Sequence, residues 1–117
     1  MIDVSSHKNV ENVIRYFLTY LPPRGAESIL DIGGGSTAPY KGVLQTRCKK
    51  YRNLDIRPGD RVDYNQDVVE FKPPFGNLVF FMCNPFDEKI INASFSAYKK
   101  YFDKNSSIYI IYINALY

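Results

Sequence analysis

Hydrophobic residues recur at two spacings along this chain, and the switches between them divide it into elements. Over residues 6–20, with Leu21 just beyond, Val10, Val13, Ile14, Phe17, Leu18 and Leu21 fall at intervals of three and four, the stripe that an amphipathic helix buries. Ser5 or Ser6 can cap it. Leu21-Pro22-Pro23-Arg24-Gly25 ends it, since proline cannot continue the hydrogen-bond ladder and glycine suits the exit. Short apolar runs over 28–32 and 51–56, with a weaker one over 62–64, predict strands, and a helix over 39–46 separates the first two. The connection Arg57-Pro58-Gly59-Asp60-Arg61 is too short for a helical crossover. The third segment is therefore either a parallel strand reached through an irregular loop or an antiparallel one reached by a turn at Pro58-Gly59. Residues 77–83, Asn-Leu-Val-Phe-Phe-Met-Cys, form a continuous apolar run that predicts a central strand covered on both faces. Ile91, Phe95, Tyr98 and Phe102 return to helical spacing over 87–102, and the β-prone run 107–113 follows. The alternation predicts an α/β protein with a mostly parallel sheet and helices on its faces.

Length and composition narrow this picture. The 117 residues suit one domain, with a helix and linker over 1–24 and a core over 25–117. The net charge of +3 is mildly basic, but the cations are spread along the chain and do not form a concentrated patch, so nucleic acid is not indicated. Cys48 and Cys83 lack CxxC spacing and His7 is the single histidine, so no ordinary zinc motif can be assembled and no metal is expected. The opening Met1-Ile2-Asp3-Val4 lacks the pattern of a signal peptide, and no apolar run reaches the roughly 20 residues of a membrane span. A reduced, cytoplasmic protein is the expectation.

Chemistry concentrates at the strand ends. Ser28-Ile29-Leu30-Asp31-Ile32-Gly33-Gly34-Gly35 is a strand that ends near a carboxylate and breaks into a glycine loop, where backbone can lie directly against a ligand. Asp55 lies near the end of the second strand, Asp67 follows the third segment, and Asn84-Pro85-Phe86 follows the fourth. In an open parallel sheet these ends share one edge, where ligands bind. Each residue alone is an ordinary turn former; their succession points to a nucleotide-like ligand.

This ordered set resembles the class I, Rossmann-like S-adenosylmethionine-dependent methyltransferases over residues 27–114. Ile29-Leu30-Asp31-Ile32-Gly33-Gly34-Gly35 is similar to the family's first motif, Asn53-Leu54-Asp55-Ile56 to the acidic end of its second strand, Gln66-Asp67-Val68 to the acidic loop after the third, and Cys83-Asn84-Pro85-Phe86 to the motif after the fourth. The resemblance implies a Rossmann-like three-layer sandwich and S-adenosyl-L-methionine as cofactor. It places Gly33, Gly34 and Gly35 against the cofactor's amino acid portion, with Asp31 holding the loop and the ammonium group through water. Asp55 would accept from the ribose diol, with Ile56 beside it, and Asp67 from the adenine amino group, with the Val68 N–H near the ring. Tyr40, just past the glycine loop, would cover the cofactor. Asn84, Pro85 and Phe86 would form the catalytic element, Asn84 orienting the methyl acceptor.

The chain also departs from the family. Asn84-Pro85-Phe86 is one proline short of the Asn-Pro-Pro-aromatic signature of amino-group methyltransferases, so the acceptor is left unidentified. Helices after the second and third strands are reduced, and the usual C-terminal antiparallel strand pair is lacking. An Ile/Tyr-rich edge strand invites association: either this edge pairs with another subunit, as in a homodimer, or the chain is a shortened form of a longer enzyme, and a dimer or self-association is expected. Two other readings use the same residues. Gly33 to Ala38 satisfies Gly-x-Gly-x-x-Ala, with Asp55 about 20 residues on, as in nicotinamide-dependent oxidoreductases. A non-catalytic module that keeps the cofactor fold and acts by association is the other.

Overall fold

A computed structural model describes residues 7–72, 78–83, 92–93, 95–96, 98 and 108–113. The first apolar stripe forms helix α1 (His7–Leu18), with Val10, Val13, Ile14 and Leu18 buried. Phe17, a member of the same stripe, lies at its margin and is 38% exposed. The expected caps Ser5 and Ser6 lie outside the described residues. The chain leaves α1 through Leu21 and Pro22, and Gly25 turns it at φ 72° into strand β1 (Ala26–Ile32).

Helix α2 (Lys41–Leu44) continues as a 3-10 turn over Gln45–Arg47, which shortens the α-helix expected over 39–46. Tyr40 stands before the helix at φ −104° and ψ 5°, outside helical geometry, and Ala38 turns the chain at φ 45° in the left-handed region. Strand β2 (Cys48–Asp55) begins three residues before the expected one. Strand β3 is confined to Tyr64–Asn65 and pairs parallel to β2, which makes the 56–63 connection an irregular loop. Strands β4 (Leu78–Cys83) and β5 (Ile108–Ile113) complete a sheet of order β3-β2-β1-β4-β5. Every pairing is parallel, so this is an α/β fold.

Alternation along the strands builds a core on each face. Ile29, Tyr51, Val79, Phe81, Ile111 and Ile113 face α1 and α2. Leu30, Ile32, Leu54, Phe80 and Met82 face the other way, against Val68, Phe71 and Tyr98. The expected helix over 87–102 is described at residues 92–93, 95–96 and 98, which are helical. Its ends, with Ile91 and Phe102, lie outside the described residues. Tyr98 is buried, stacks on Phe80 at 5.4 Å between centroids and donates to Val68 O at 2.5 Å. Strand β4, expected to be central and covered on both faces, lies one place from the centre, between β1 and β5, and Val79 to Met82 are at most 1% exposed. Among the described residues, no helix is long and apolar enough to cross a membrane.

Candidate functional site

Strand β1 lies in the middle of the sheet and is flanked by β2 on one side and β4 on the other. The chain leaves β1 for β2 on one side and leaves β4 for β5 on the other, so the connections diverge from the carboxyl ends of β1 and β4, the position where parallel sheets of this order open a crevice. The glycine loop begins there. Gly33 turns at φ 73° and extends the ladder by donating its N–H to Leu54 O at 2.7 Å.

One side-chain column of β2 holds the loop. Tyr51, Asn53 and Asp55 share a face by alternation, and the register pairs Ile29 with Tyr51 and Asp31 with Asn53. The column is aromatic toward the amino end of the strand and polar toward its carboxyl end. Gly35, at φ 79°, donates its N–H to Asp55 Oδ2 at 2.9 Å, while its carbonyl accepts from Asn53 Nδ2 at 2.8 Å. Gly34 passes so close that a Cβ there would lie 2.3 Å from Asn53 Oδ1 and 2.7 Å from Asp31 Oδ2. A methyl group has no room here unless the buried Asn53 and Asp31 side chains shift, so the position suits glycine.

The segment after β2 closes over the same loop. Asp55 Oδ1 accepts from the Arg57 N–H at 2.9 Å, and the Arg57 guanidinium, largely in solvent, is 3.8 Å away. An ion pair with so exposed a partner adds little. Asn53 Nδ2 also donates to Arg61 O at 2.9 Å, and the Asn53 N–H donates to Asp63 Oδ2 at 2.7 Å. Gly59 lies against Ser36, where an added Cβ would meet the Ser36 Cβ at 2.7 Å. Asn65 Nδ2 donates to Ile56 O at 2.8 Å and ties down the exit from β2.

Burial governs the electrostatics. Asp31, Asn53 and Asp55 are 2%, 0% and 6% exposed. Loss of water around the Asp31 carboxyl pushes its pKa up to about 7; the Tyr51 hydroxyl, which donates to Oδ2, opposes this, and the nearby Asp55 adds to it. The Tyr51 phenol is itself raised, by burial first and then by the charge of Asp31. Lys41 Nζ lies 5.7 Å from the centroid of the Tyr51 ring.

Asp31, Gly33, Gly34, Gly35 and Asp55 thus form one connected cluster. Ile56 follows on the same edge with its side chain 65% exposed. Asp67 is exposed beyond β3, and its Oδ1 accepts from the Val69 N–H at 3.0 Å in an Asx turn. Val68 is buried with its carbonyl on Tyr98. Tyr40 is placed in the helix-side core, edge-on to Phe81 at 6.0 Å. Asn84, Pro85 and Phe86 lie outside the described residues, directly after β4.

Tyr51, Asn53 and Asp63 belong to the cluster although none of them was expected as a site residue; Asn53 stands in the Asn53-Leu54-Asp55-Ile56 stretch with no role of its own. The period-two spacing Tyr51-x-Asn53-x-Asp55 was the available signal, since residues of equal parity on a strand share a face. Among the described residues, no group of histidine, cysteine or carboxylate side chains is arranged to hold a metal ion. The site offers a glycine loop, buried carboxyl oxygens and an exposed apolar side chain. No family model and no curated protein matches the chain.

Proposed function

We propose that this chain is a Rossmann-like, three-layer methyltransferase domain that binds S-adenosyl-L-methionine and transfers its methyl group. The observation that carries the reading is the Gly33–Gly35 loop at the carboxyl end of the central strand, fastened on one side to Asp55 of β2. The strand order supports it, because β3-β2-β1-β4-β5 is the order of five of the six strands of the doubly wound nucleotide-binding sheet.

The residues fit the cofactor. Each Asp55 oxygen accepts one backbone N–H, and a carboxylate has about four acceptor positions. Capacity remains for both hydroxyls of a ribose. Ile56 offers an exposed apolar surface next to Asp55, and Asp67 offers a solvent-accessible carboxylate for the adenine amino group. Asp31 and the loop backbone would hold the amino acid end. When bound, the cofactor supplies a methyl group already activated by its sulfonium, so the protein has mainly to align donor and acceptor, an effect worth of order 7–11 kcal/mol in the best model systems. Asn84, assigned from sequence, would orient the acceptor through its side-chain carbonyl.

Two observations bear on the other readings. Ala38 stands in a left-handed conformation and α2 has only four residues, so no helix N-terminus of useful length meets the Gly-x-Gly-x-x-Ala loop. This disfavours a dinucleotide pyrophosphate. The engagement of Asp55 by Gly35 and Arg57 gives the loop a structural fastening of its own, which favours the non-catalytic module as the second reading.

Calorimetric titration of the chain with S-adenosylmethionine and S-adenosylhomocysteine, with NADH as control, tests the proposal. Saturable binding of the sulfur nucleosides is expected, weakened by roughly 1.5–3 kcal/mol in Asp55→Ala through loss of charge-assisted hydrogen bonds. Binding by a folded Asp55→Ala variant at unchanged affinity removes Asp55 from the site. Absence of binding by the folded chain overturns the cofactor reading.

A further inference from the structure

Asn53 is the cross-strand neighbour of Asp31, and one of its side-chain atoms has no partner. Its Nδ2 donates to two carbonyls, of Gly35 and Arg61. Turning the amide over would set Oδ1 against both carbonyls, so the orientation is fixed by the backbone around it. Oδ1 is thereby held beneath Gly34, fully buried and without a hydrogen-bond partner among the described residues. Asp31 Oδ2 reaches the same spot: the two oxygens lie 2.3 and 2.7 Å from the position that a Gly34 Cβ would take. Two oxygens that border the same space beneath Gly34, on residues at most 2% exposed, repel when both are acceptors and attract when one carries a proton.

Of the other groups around Asp31, the Tyr51 hydroxyl favours the carboxylate and Asp55 the protonated form. β2 contributes the Tyr51 hydroxyl, which donates to Oδ2, and Asp55, whose charge disfavours a second anion. The loop after β2 contributes Asp63, turned to the Asn53 N–H. α2 contributes Lys41, over the Tyr51 ring, and β4 contributes Phe81, the uncharged register partner of Asp31. No cation among the described residues makes a salt bridge with Asp31.

We propose that Asn53 is a positioning residue that holds a proton on Asp31, and that a ligand presenting an ammonium group to the glycine loop releases this proton to solvent. The ammonium then replaces the proton as the positive partner of the carboxylate, so the pocket's charge balances in both states. The displacement half rests on the S-adenosylmethionine reading; the carboxyl–amide pair does not.

The pair is tested without ligand by following the Asp31 side-chain carboxyl by carbon NMR against pH. A midpoint near 7 is expected in the native chain, falling by about a unit or more in Asn53→Ala, where the acceptor is gone and water enters. A native midpoint in the ordinary carboxylate range overturns the pair. So does a folded Asn53→Ala with an unshifted midpoint. If that variant does not fold, Asn53→Ser, whose hydroxyl can donate to the carboxylate, is titrated in its place, and an unshifted midpoint there overturns the pair.

Displacement is tested by calorimetry of S-adenosylhomocysteine at pH 7 in two buffers of different protonation enthalpy, with 5′-methylthioadenosine, which has no ammonium group, as control. About half a proton should be released by the first and none by the second, and affinity for the first should rise about tenfold between pH 6 and 8. S-adenosylhomocysteine binding without proton release overturns the displacement. If neither nucleoside binds while Asp31 still titrates near 7, the methyltransferase reading and the displacement fall together and the pair stands.

Discussion

The two halves of the sheet use the same parallel geometry for different ends. In β4 and β5, Leu78-Val79-Phe80-Phe81-Met82-Cys83 pairs with Ile108-Tyr109-Ile110-Ile111-Tyr112-Ile113, and no charged side chain interrupts either strand. In β1 and β2, the pairing brings together Asp31, Asn53 and Asp55, which are also the buried polar residues of the described chain. The first half takes its stability from apolar burial, about 1.5–3 kcal/mol for each large side chain removed from water. The second gives up part of that gain at its carboxyl end, where every buried polar atom needs a partner. A sheet can carry such a site because its other half does not.

The largest effect should come from weakening the apolar half. Phe80→Ala removes a fully buried ring stacked on Tyr98 and is expected to cost about 3–5 kcal/mol, read from urea denaturation. A loss below about 1 kcal/mol would mean that β4 is not the main stabilising strand. Gly34→Ala tests the polar half. A methyl group there collides with Asn53 and Asp31, so the loop must shift, at about 1–3 kcal/mol of stability and with loss of S-adenosylhomocysteine binding. Unchanged stability and affinity would show that the close approach at Gly34 has no consequence.

A pH series sharpens the comparison. The native state keeps Asp31 protonated up to about 7, whereas the unfolded chain releases that proton near the ordinary value of 3.8. The native state therefore binds more protons in this window, and the contribution of Asp31 to stability declines as pH rises, by at most about 1.4 kcal/mol per unit. Asp31→Asn keeps a donor toward Asn53 and cannot ionise. Its stability relative to the native chain should increase from pH 4 to 7 and level off above; a difference that does not change with pH contradicts a raised Asp31. The smallest effect on folding is expected at the exposed face of β5. Ile110, 47% exposed, should accept Ile110→Lys within about 0.5 kcal/mol, while the charge suppresses self-association through this strand. Light scattering at high concentration reads the second part. A monodisperse monomer in the unsubstituted chain removes the expected homodimer.

Much of the fold was legible because the signals are local. The stripe from Val10 to Leu18 encodes α1 through its spacing, and the unbroken apolar run at 78–83 encodes an interior strand. Asp31 and Asp55 were legible as site residues because each stands at or near a strand end. Boundaries were less so. The helix α2 starts only after Tyr40, which is outside helical geometry, and nothing in the sequence announces that or the left-handed turn at Ala38. The early start of β2 at Cys48-Lys49-Lys50 was hidden because these exposed residues gain their strand geometry from pairing with β1, not from their own propensity. Asn53 escaped notice for a related reason. An asparagine inside a strand reads as a weak former, and its value appears only once Gly35 and Arg61 bring their carbonyls to it.

Periodicity and punctuation are properties of neighbouring residues, so the order of helices and strands, the alternating faces and the glycine break after β1 follow from the chain read in one dimension. Neighbourhood in the sheet is a property of segments far apart. That β1 lies between β2 and β4, that β3 runs parallel after an irregular loop, and that Asp31 meets Asn53 under Gly34 depend on register between strands about 20 residues or more apart. The same holds for the proton on Asp31. The Asp31 carboxyl acquires its raised pKa because folding removes its water and brings a second carboxylate, Asp55, near it, against the opposing hydrogen bond from Tyr51.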